Sequence, residues 1–452
     1  MKLQFNKDHK YILSLALPAI AGLSTQMVVS LVDTAMVGRL YNAEYYLAAM
    51  GIGVFATWAV VSLFSSLATG THVLIARRFG SKEFDRCGEV LNTSLIIALL
   101  IGTVIASIVV AFSYDIANFF AVDPKVGFYA GEFLHYRFMG IPFFLITVSY
   151  RGFFFGIGKT KIFMYSAILI NILNIIFNYI FIYGGFGIKG MGLAGSGLGS
   201  TIATICDALF YFTVSLLPSF RHKFNYFRNF RFIKSIASSI IKISLPVSLQ
   251  NIFILIGFLS FIAITGFIGT AEQAASTVIF SALQFSLMPC FGFGIAIQTL
   301  VGNSLGCEDV HKAKYYGYET SKLATFYTLL VGIIFIMIPG LVLHLITNDQ
   351  IVIETAAPAL RIAGIGQIFY ATGVVLANGL QASGQTFYVM MSEVIVNWFV
   401  FVPIAYFLGV YMKFGLLGAW SALPFYVILY AAVIFLKFKY GNWEKYKRVL
   451  DK

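Results

Sequence analysis

The chain has 452 residues, of which 59% are hydrophobic and 11% charged, with a mean hydropathy of +0.86. A soluble globular chain has about a quarter of its residues charged, so this composition excludes that class and specifies a polytopic membrane protein. The net charge of +12 does not imply a nucleic-acid partner, because Lys and Arg follow the membrane loops rather than one binding face.

Apolar stretches long enough to cross a bilayer, about 20 residues each, fall near 11–37, 47–73, 90–113, 128–155, 162–184, 192–217, 237–265, 274–303, 318–346, 353–380, 387–411 and 416–438. These are the predicted spans 1 to 12. Span 1 is expected to stay in the mature protein, since it runs too long for a signal peptide and lacks a small-residue cleavage site after a short core. Its run Leu31-Val32-Asp33-Thr34-Ala35-Met36-Val37-Gly38 holds the most informative residue of the chain. A carboxylate at the centre of hydrocarbon costs roughly 3 kcal/mol on insertion scales, which makes Asp33 a candidate transport site. The plainer reading is that Asp33 reaches water at the helix end or pairs with Arg39.

Basic residues gather in alternate loops. Lys2, Lys7 and Lys10 precede span 1; Arg77, Arg78, Lys82 and Arg86 follow span 2; Lys159 and Lys161 follow span 4. Arg221, Lys223, Arg228, Arg231 and Lys234 follow span 6, Lys312 and Lys314 follow span 8, and Lys437, Lys439, Lys445, Lys447 and Arg448 close the chain. The other loops carry single cations: Arg39, Lys125, Lys189, Arg361 and Lys413. By the positive-inside rule both termini and the central linker are cytoplasmic. That linker, Leu217 to Lys242, mixes basic and aromatic residues, which suits either anionic lipid or a plain topogenic loop.

Cys87 and Cys307 fall in loops, Cys206 and Cys290 in spans, and neither a CxxC spacing nor a His pair at i, i+4 occurs. A metal or redox centre is therefore not expected. His72 and His135 read as satisfied structural histidines, with a polar cavity role as the alternative. Pro18, Pro142, Pro246, Pro289, Pro339, Pro358, Pro403 and Pro424 all lie within predicted spans, where each permits a kink. The run from Gly190 to Ser200 opens span 6 with small residues at four-residue spacing, which is a close helix-packing surface.

The two halves repeat at an offset of 226 to 228 residues. Pro18 matches Pro246, Gly80 matches Gly306, Gly156-Ile157-Gly158-Lys159-Thr160 matches Ala382-Ser383-Gly384-Gln385-Thr386, and Asn171 matches Asn397. Six spans separate the copies, so orientation is preserved and the halves are parallel repeats with a substrate path expected between them. The expected divisions are 1–217 for an N-terminal six-helix lobe and 218–236 for a cytoplasmic basic linker. A C-terminal lobe at 237–440 and a cytoplasmic tail at 441–452 complete them.

With the Asp33-Thr34-Ala35-Met36-Val37-Gly38 motif, the Gly80 and Gly306 loops, the Gly158-Lys159-Thr160 and Gly384-Gln385-Thr386 turns, and Asn174-Ile175-Ile176-Phe177-Asn178-Tyr179 in span 5, the whole chain resembles the multidrug and toxic compound extrusion (MATE) transporters. The resemblance implies an all-α polytopic protein of about twelve transmembrane helices, in two parallel six-helix repeats forming a V-shaped, two-lobe transporter of the inner membrane. It implies no enzyme and no cofactor. The implied activity is export of small amphipathic, often cationic compounds against H+ or Na+, by a monomer whose only other partner is the bilayer. It carries the ion-coupling role onto Asp33, with Gln26, Asn174, Asn178 and Ser196 in the same polar network and a Na+ position at Asp33, Asn174 and Asn178 as one option.

Departures from the family pattern narrow this. Many DinF-like relatives have an acid where Asn178 stands, and the NorM-like branch has carboxylates aligned with Ile254 and Tyr370; both are absent here, so the C-terminal ion site of that branch is expected to be missing and the chain is placed nearer the DinF-like branch. Asp207 and Glu393 are the remaining intramembrane acids, and Asp207 paired with Arg151 reads as structural rather than coupling. One acid among amides fits a proton slightly better than sodium, although Gln26, Asn174 and Asn178 all offer carbonyl oxygens. A flippase for a lipid-linked sugar is the alternative within the fold group; its cavity cations would be Arg137 and Arg151.

Overall fold

Without water in hydrocarbon, a chain must satisfy its own backbone polar groups, and each apolar run here does so as a helix. The computed structural model describes residues 7–41, 43–227 and 230–443; Lys2, Arg228, Lys445, Lys447, Arg448 and most of the 441–452 tail lie outside them. The first half contains α1 (Lys7–Val37), α2 (Ala43–Phe64), α3 (Leu67–Gly80), α4 (Phe84–Ala111), α5 (Ser113–Phe120), α6 (Pro124–Phe138), α7 (Ile141–Gly156) and α8 (Thr160–Tyr183). A two-residue antiparallel hairpin, β1 (Gly184–Gly185) with β2 (Ile188–Lys189), leads to α9 (Leu193–Ser215) and the short α10 (Pro218–Phe224). The second half contains α11 (Lys234–Ile268), α12 (Thr270–Gly306), α13 (Val310–Met337), α14 (Pro339–His344), α15 (Gln350–Ala382), α16 (Thr386–Val396), α17 (Val402–Tyr406) and α18 (Gly415–Tyr440). π-helical turns at Asn397–Phe401 and Phe407–Tyr411 flank α17.

Among the described residues, 11 helical stretches are long and apolar enough to cross a membrane, and a twelfth is the pair α6 and α7, bent by 47°. The break follows from Gly140 and from Pro142, which stands in the first turn of α7 and has no N–H to continue α6. Of the eight prolines expected to interrupt spans, five (Pro18, Pro246, Pro289, Pro358 and Pro424) are helix-interior. Pro142 and Pro339 instead stand in the first turn of α7 and α14, where a missing N–H costs little, and Pro403 follows directly on the π-helical turn Asn397–Phe401.

The internal repeat is visible in the backbone. Gly158 and Gly384 both take positive φ, 71° and 90°, and Lys82 and Glu308 do so at 63° and 64°. Each pair stands 226 residues apart, at equivalent helix ends.

Contacts divide the chain into two units, Ala21–Ser244 and Met1–Ile20 with Leu245–Lys452. This differs from a division at the linker: residues 7–20 of α1 fold with the C-terminal unit, and residues 234–244 of α11 with the N-terminal one. Ile12, Leu15 and Ala16 are buried in the same cluster as Leu300, Leu376 and Phe438. A β-carbon on Gly70 would lie 2.8 Å from the Ile240 carbonyl oxygen, so α3 and the start of α11 meet at backbone distance. Pro18 and Pro246 each sit two residues from the changeover. A proline removes one intrahelical hydrogen bond there, which lets the two stretches of one continuous helix pack in different surroundings.

Within Ala21–Ser244 the small residues of α9 act as the packing surface expected of them. A β-carbon at Gly195 would lie 2.2 Å from the Phe181 carbonyl oxygen, and one at Gly199 would lie 2.3 Å from Asn178 Oδ1. Only hydrogen side chains let α8 and α9 approach this closely.

Candidate functional site

The close approach of α8 and α9 fixes the position of two amides. Asn174 and Asn178 are four residues apart on α8 and therefore share a face. Asn178 is wholly buried and Asn174 nearly so. Asn178 Nδ2 donates to Asp33 Oδ1 at 2.8 Å and to Asn174 Oδ1 at 3.1 Å, and Asn174 Nδ2 donates to Ser200 Oγ at 3.0 Å. α1, α8 and α9 are thus tied by one chain of hydrogen bonds that starts on the carboxylate. Tyr183 Oη donates to the Met36 carbonyl at 2.6 Å, which holds the last turn of α1 against α8.

Charge reaches the site from α6. The Arg137 guanidinium interacts electrostatically with Asp33, and its Nη1 is buried without a hydrogen-bond partner. Asp33 itself is partly exposed, so the carboxylate has a protein side and an open side. Asn178 Oδ1 is also buried and unpartnered. Asn178 alone of the two amides presents an N–H group to Asp33; its Oδ1 is the free amide acceptor beside the carboxylate that a Na+ ion would use.

Asn174 and Asn178 thus join Asp33. Gln26 lies on α1 two turns before Asp33 but is exposed and takes no part in these bonds. Ser196 is buried, yet the hydroxyl on Asn174 is that of Ser200, one turn further along α9 and on the same face. Arg39 is exposed and, among the described residues, forms no ion pair with Asp33; the cation acting on Asp33 is Arg137.

Asp207 and Glu393, the two other acids singled out in the sequence, are in different places. Asp207 on α9 is buried, accepts from Ser166 Oγ at 2.5 Å and faces Arg151 Nη2 at 3.7 Å, while the Arg151 guanidinium lies 5.1 Å from the centre of the Phe163 ring. The two residues that the sequence suggested as a pair are thus brought together. Glu393 on α16 belongs to the C-terminal unit, is 3% exposed, and accepts a hydrogen bond from Tyr426 Oη. Among the described residues no group of three His, Cys, Asp or Glu side chains has the arrangement of a metal site. His72 is buried beside Phe155, with ring centres 5.8 Å apart.

Two features were not assigned in the sequence. Ser200 was legible only as part of the small-residue stripe, whose periodicity marks a face and not a depth. Arg137 was seen as a cavity cation, but nothing in the sequence connects α6 to Asp33.

Comparison with known proteins follows the same architecture. A family model described as MatE matches residues 18–180 and 246–407, one match in each half. A probable multidrug resistance protein NorM of Thermotoga maritima is 26% identical over 443 residues, covering 96% of this chain and 93% of that protein. A probable multidrug resistance protein YoeA of Bacillus subtilis is 23% identical, covering 88% and 86%. Among solved structures, a crystal structure of MATE in the straight conformation superposes with a TM-score of 0.87 at 22% identity, covering 99% of this chain and 98% of that one. An outward-facing multidrug resistance MATE family transporter of the MOP superfamily gives 0.86 at 22% identity, covering 98% of both. At those identities the structures establish the fold.

Proposed function

The chain belongs to the MatE family, and on that premise we propose that it is a multidrug efflux antiporter of the cytoplasmic membrane, exporting small amphipathic, often cationic compounds in exchange for H+ or Na+. The observation that carries the proposal is Asp33, an acid in an apolar helix held by Asn178 at 2.8 Å and left open on one side. An intramembrane carboxylate is expensive and is kept where it works. Charged, Asp33 attracts a cationic substrate; protonated or bound to sodium, it loses that attraction. The coupling ion and the drug therefore exclude each other at one site, and entry of one drives release of the other.

Arg137 sharpens the exchange. When Asp33 is charged, the guanidinium compensates it, so a second monovalent cation is held less tightly than at an isolated acid and can be displaced. With Asn178 Nδ2 on one carboxylate oxygen and Asn174 Oδ1 already accepting from Asn178, few oxygen ligands remain for Na+, which favours H+ as the coupling ion. Both termini are read as cytoplasmic from the charge map, and the working unit is a monomer. Against a flippase for a lipid-linked sugar stands the engagement of both candidate cations by carboxylates, Arg151 by Asp207 and Arg137 by Asp33.

The test is drug transport by the reconstituted protein under proton and sodium gradients imposed separately, with Asp33→Asn alongside the wild type. A proton gradient should drive wild-type transport, and the variant should fall to the level of empty liposomes while folding normally. Gradient-driven transport by Asp33→Asn at the wild-type rate would reject the assignment.

A further inference from the structure

Of the three acids that the sequence singles out in the spans, Asp33, Asp207 and Glu393, only Glu393 has no basic neighbour among the described residues. Asp33 has Arg137 and Asp207 has Arg151. Glu393, 3% exposed in α16, is surrounded by phenols: Tyr426 Oη of α18 donates to Oε1, Tyr430 one turn on presents a second hydroxyl, and Tyr370 of α15 stands third. Cys290 of α12, behind Tyr370, completes the titratable groups around it. Among the described residues no Lys, Arg or His pairs with Glu393.

We propose that Glu393, in its cage of Tyr370, Tyr426 and Tyr430, is a second exchangeable proton site, housed in the C-terminal unit and separate from Asp33. The proposal rests on the reading of the protein as an ion-coupled transporter. A fully buried carboxylate without a cation costs several kcal/mol, and a bound proton removes that cost. The cage also tolerates the charged form, because a phenol both donates and accepts. Tyr426 donates to the anion and its oxygen can accept from the protonated acid, while the Tyr430 hydroxyl beside it acts on the same carboxylate. A purely structural glutamate needs only one of these states; a phenol hydrogen-bonded to an acid that lacks a cation serves both. The proton enters from water on one side, resides on a carboxyl oxygen, and returns to water on the other.

The backbone around Glu393 is irregular in a manner suited to such a site. α16 changes to a π-helical turn at Asn397, one turn after Glu393, and π-helical turns occur frequently at functional sites. Asn397 Oδ1 is buried without a partner. Tyr426 is fixed from both sides, with the Phe401 ring centre at 5.3 Å and a stacked Tyr430 at 6.3 Å, so its hydroxyl is held toward the acid.

The experiment uses the purified full chain in lipid nanodiscs and reads two quantities as the medium is acidified: protons taken up per molecule, and the infrared carbonyl band of a protonated carboxyl. Glu393→Gln should reduce uptake by about one proton and remove one titrating band, and Asp33→Asn should remove a different one, with the double variant losing both. Glu393→Asp should restore the uptake. If Glu393→Gln folds poorly, Tyr426→Phe keeps the carboxyl but removes a donor and should displace the pH at which that band appears. Wild-type uptake by a folded Glu393→Gln protein, or an unmoved band in Tyr426→Phe, overturns the proposal. Unchanged uptake in Asp33→Asn would instead refute the role of Asp33 and leave Glu393 standing.

Discussion

Replacing Gly199 by alanine tests the site without substituting any polar residue in it. The new methyl would stand 2.3 Å from Asn178 Oδ1, 2.9 Å from Asn178 N and 3.0 Å from the Phe177 carbonyl carbon. Two of these neighbours are backbone and cannot swing aside, so α8 and the Asn178 amide must retreat by roughly 1 Å to restore van der Waals spacing. The bond from Asn178 Nδ2 to Asp33 Oδ1, 2.8 Å in the native site, would then exceed the ~3.5 Å at which hydrogen bonding effectively ends. A hydrogen bond to a charged group contributes about 1.5–3 kcal/mol, and each 1.4 kcal/mol is about tenfold. Efflux per folded molecule should therefore fall by about 10- to 100-fold. Gly195→Ala is the control: its methyl would stand 2.2 Å from the Phe181 oxygen and 2.8 Å from Ile182 N, which overpacks the same helix pair by a similar ~1–3 kcal/mol without meeting Asn178. Dye efflux from everted vesicles, normalised to folded protein by size-exclusion profile, gives the comparison. Equal specific activity in the two variants would refute the claim that Asn178 positions Asp33.

Asn178→Asp should place two carboxylates in one site, where like charges cannot both ionise cheaply; the pH profile of transport should move upward and a sodium response appear at high pH, and an unchanged profile would separate the two residues functionally. Arg151→Ala should leave Asp207 buried and unpaired at a cost of about 3–5 kcal/mol, whereas Arg151→Met combined with Asp207→Asn should melt close to the wild type, as a thermal denaturation series would show. Protease added to inverted vesicles should cut in the exposed stretch 230–232, not at Phe224 or Tyr226, which are buried. Cleavage confined to the opposite face would overturn the topology.

Hydropathy is a local property and determined the spans, and residues matched at a fixed offset disclosed the parallel repeat. The cost of a carboxylate in hydrocarbon is also local, which is why Asp33 stood out before any neighbour was known. The asparagines followed from the family resemblance and from their shared helical face. Depth along a face was beyond the sequence: Ser196 and Ser200 point the same way, and only the register of α9 against α8, set by Gly195 and Gly199, puts the second hydroxyl on Asn174. Charge partners were equally hidden, because Arg137 and Asp33 are 104 positions apart in the chain and meet only through helix packing. The same holds for the phenols that collect around Glu393, and for the two helices that change units beside Pro18 and Pro246. Periodicity tells which side of a helix is buried; which neighbour buries it is decided by how whole helices fit together, through contacts that depend on all of them at once.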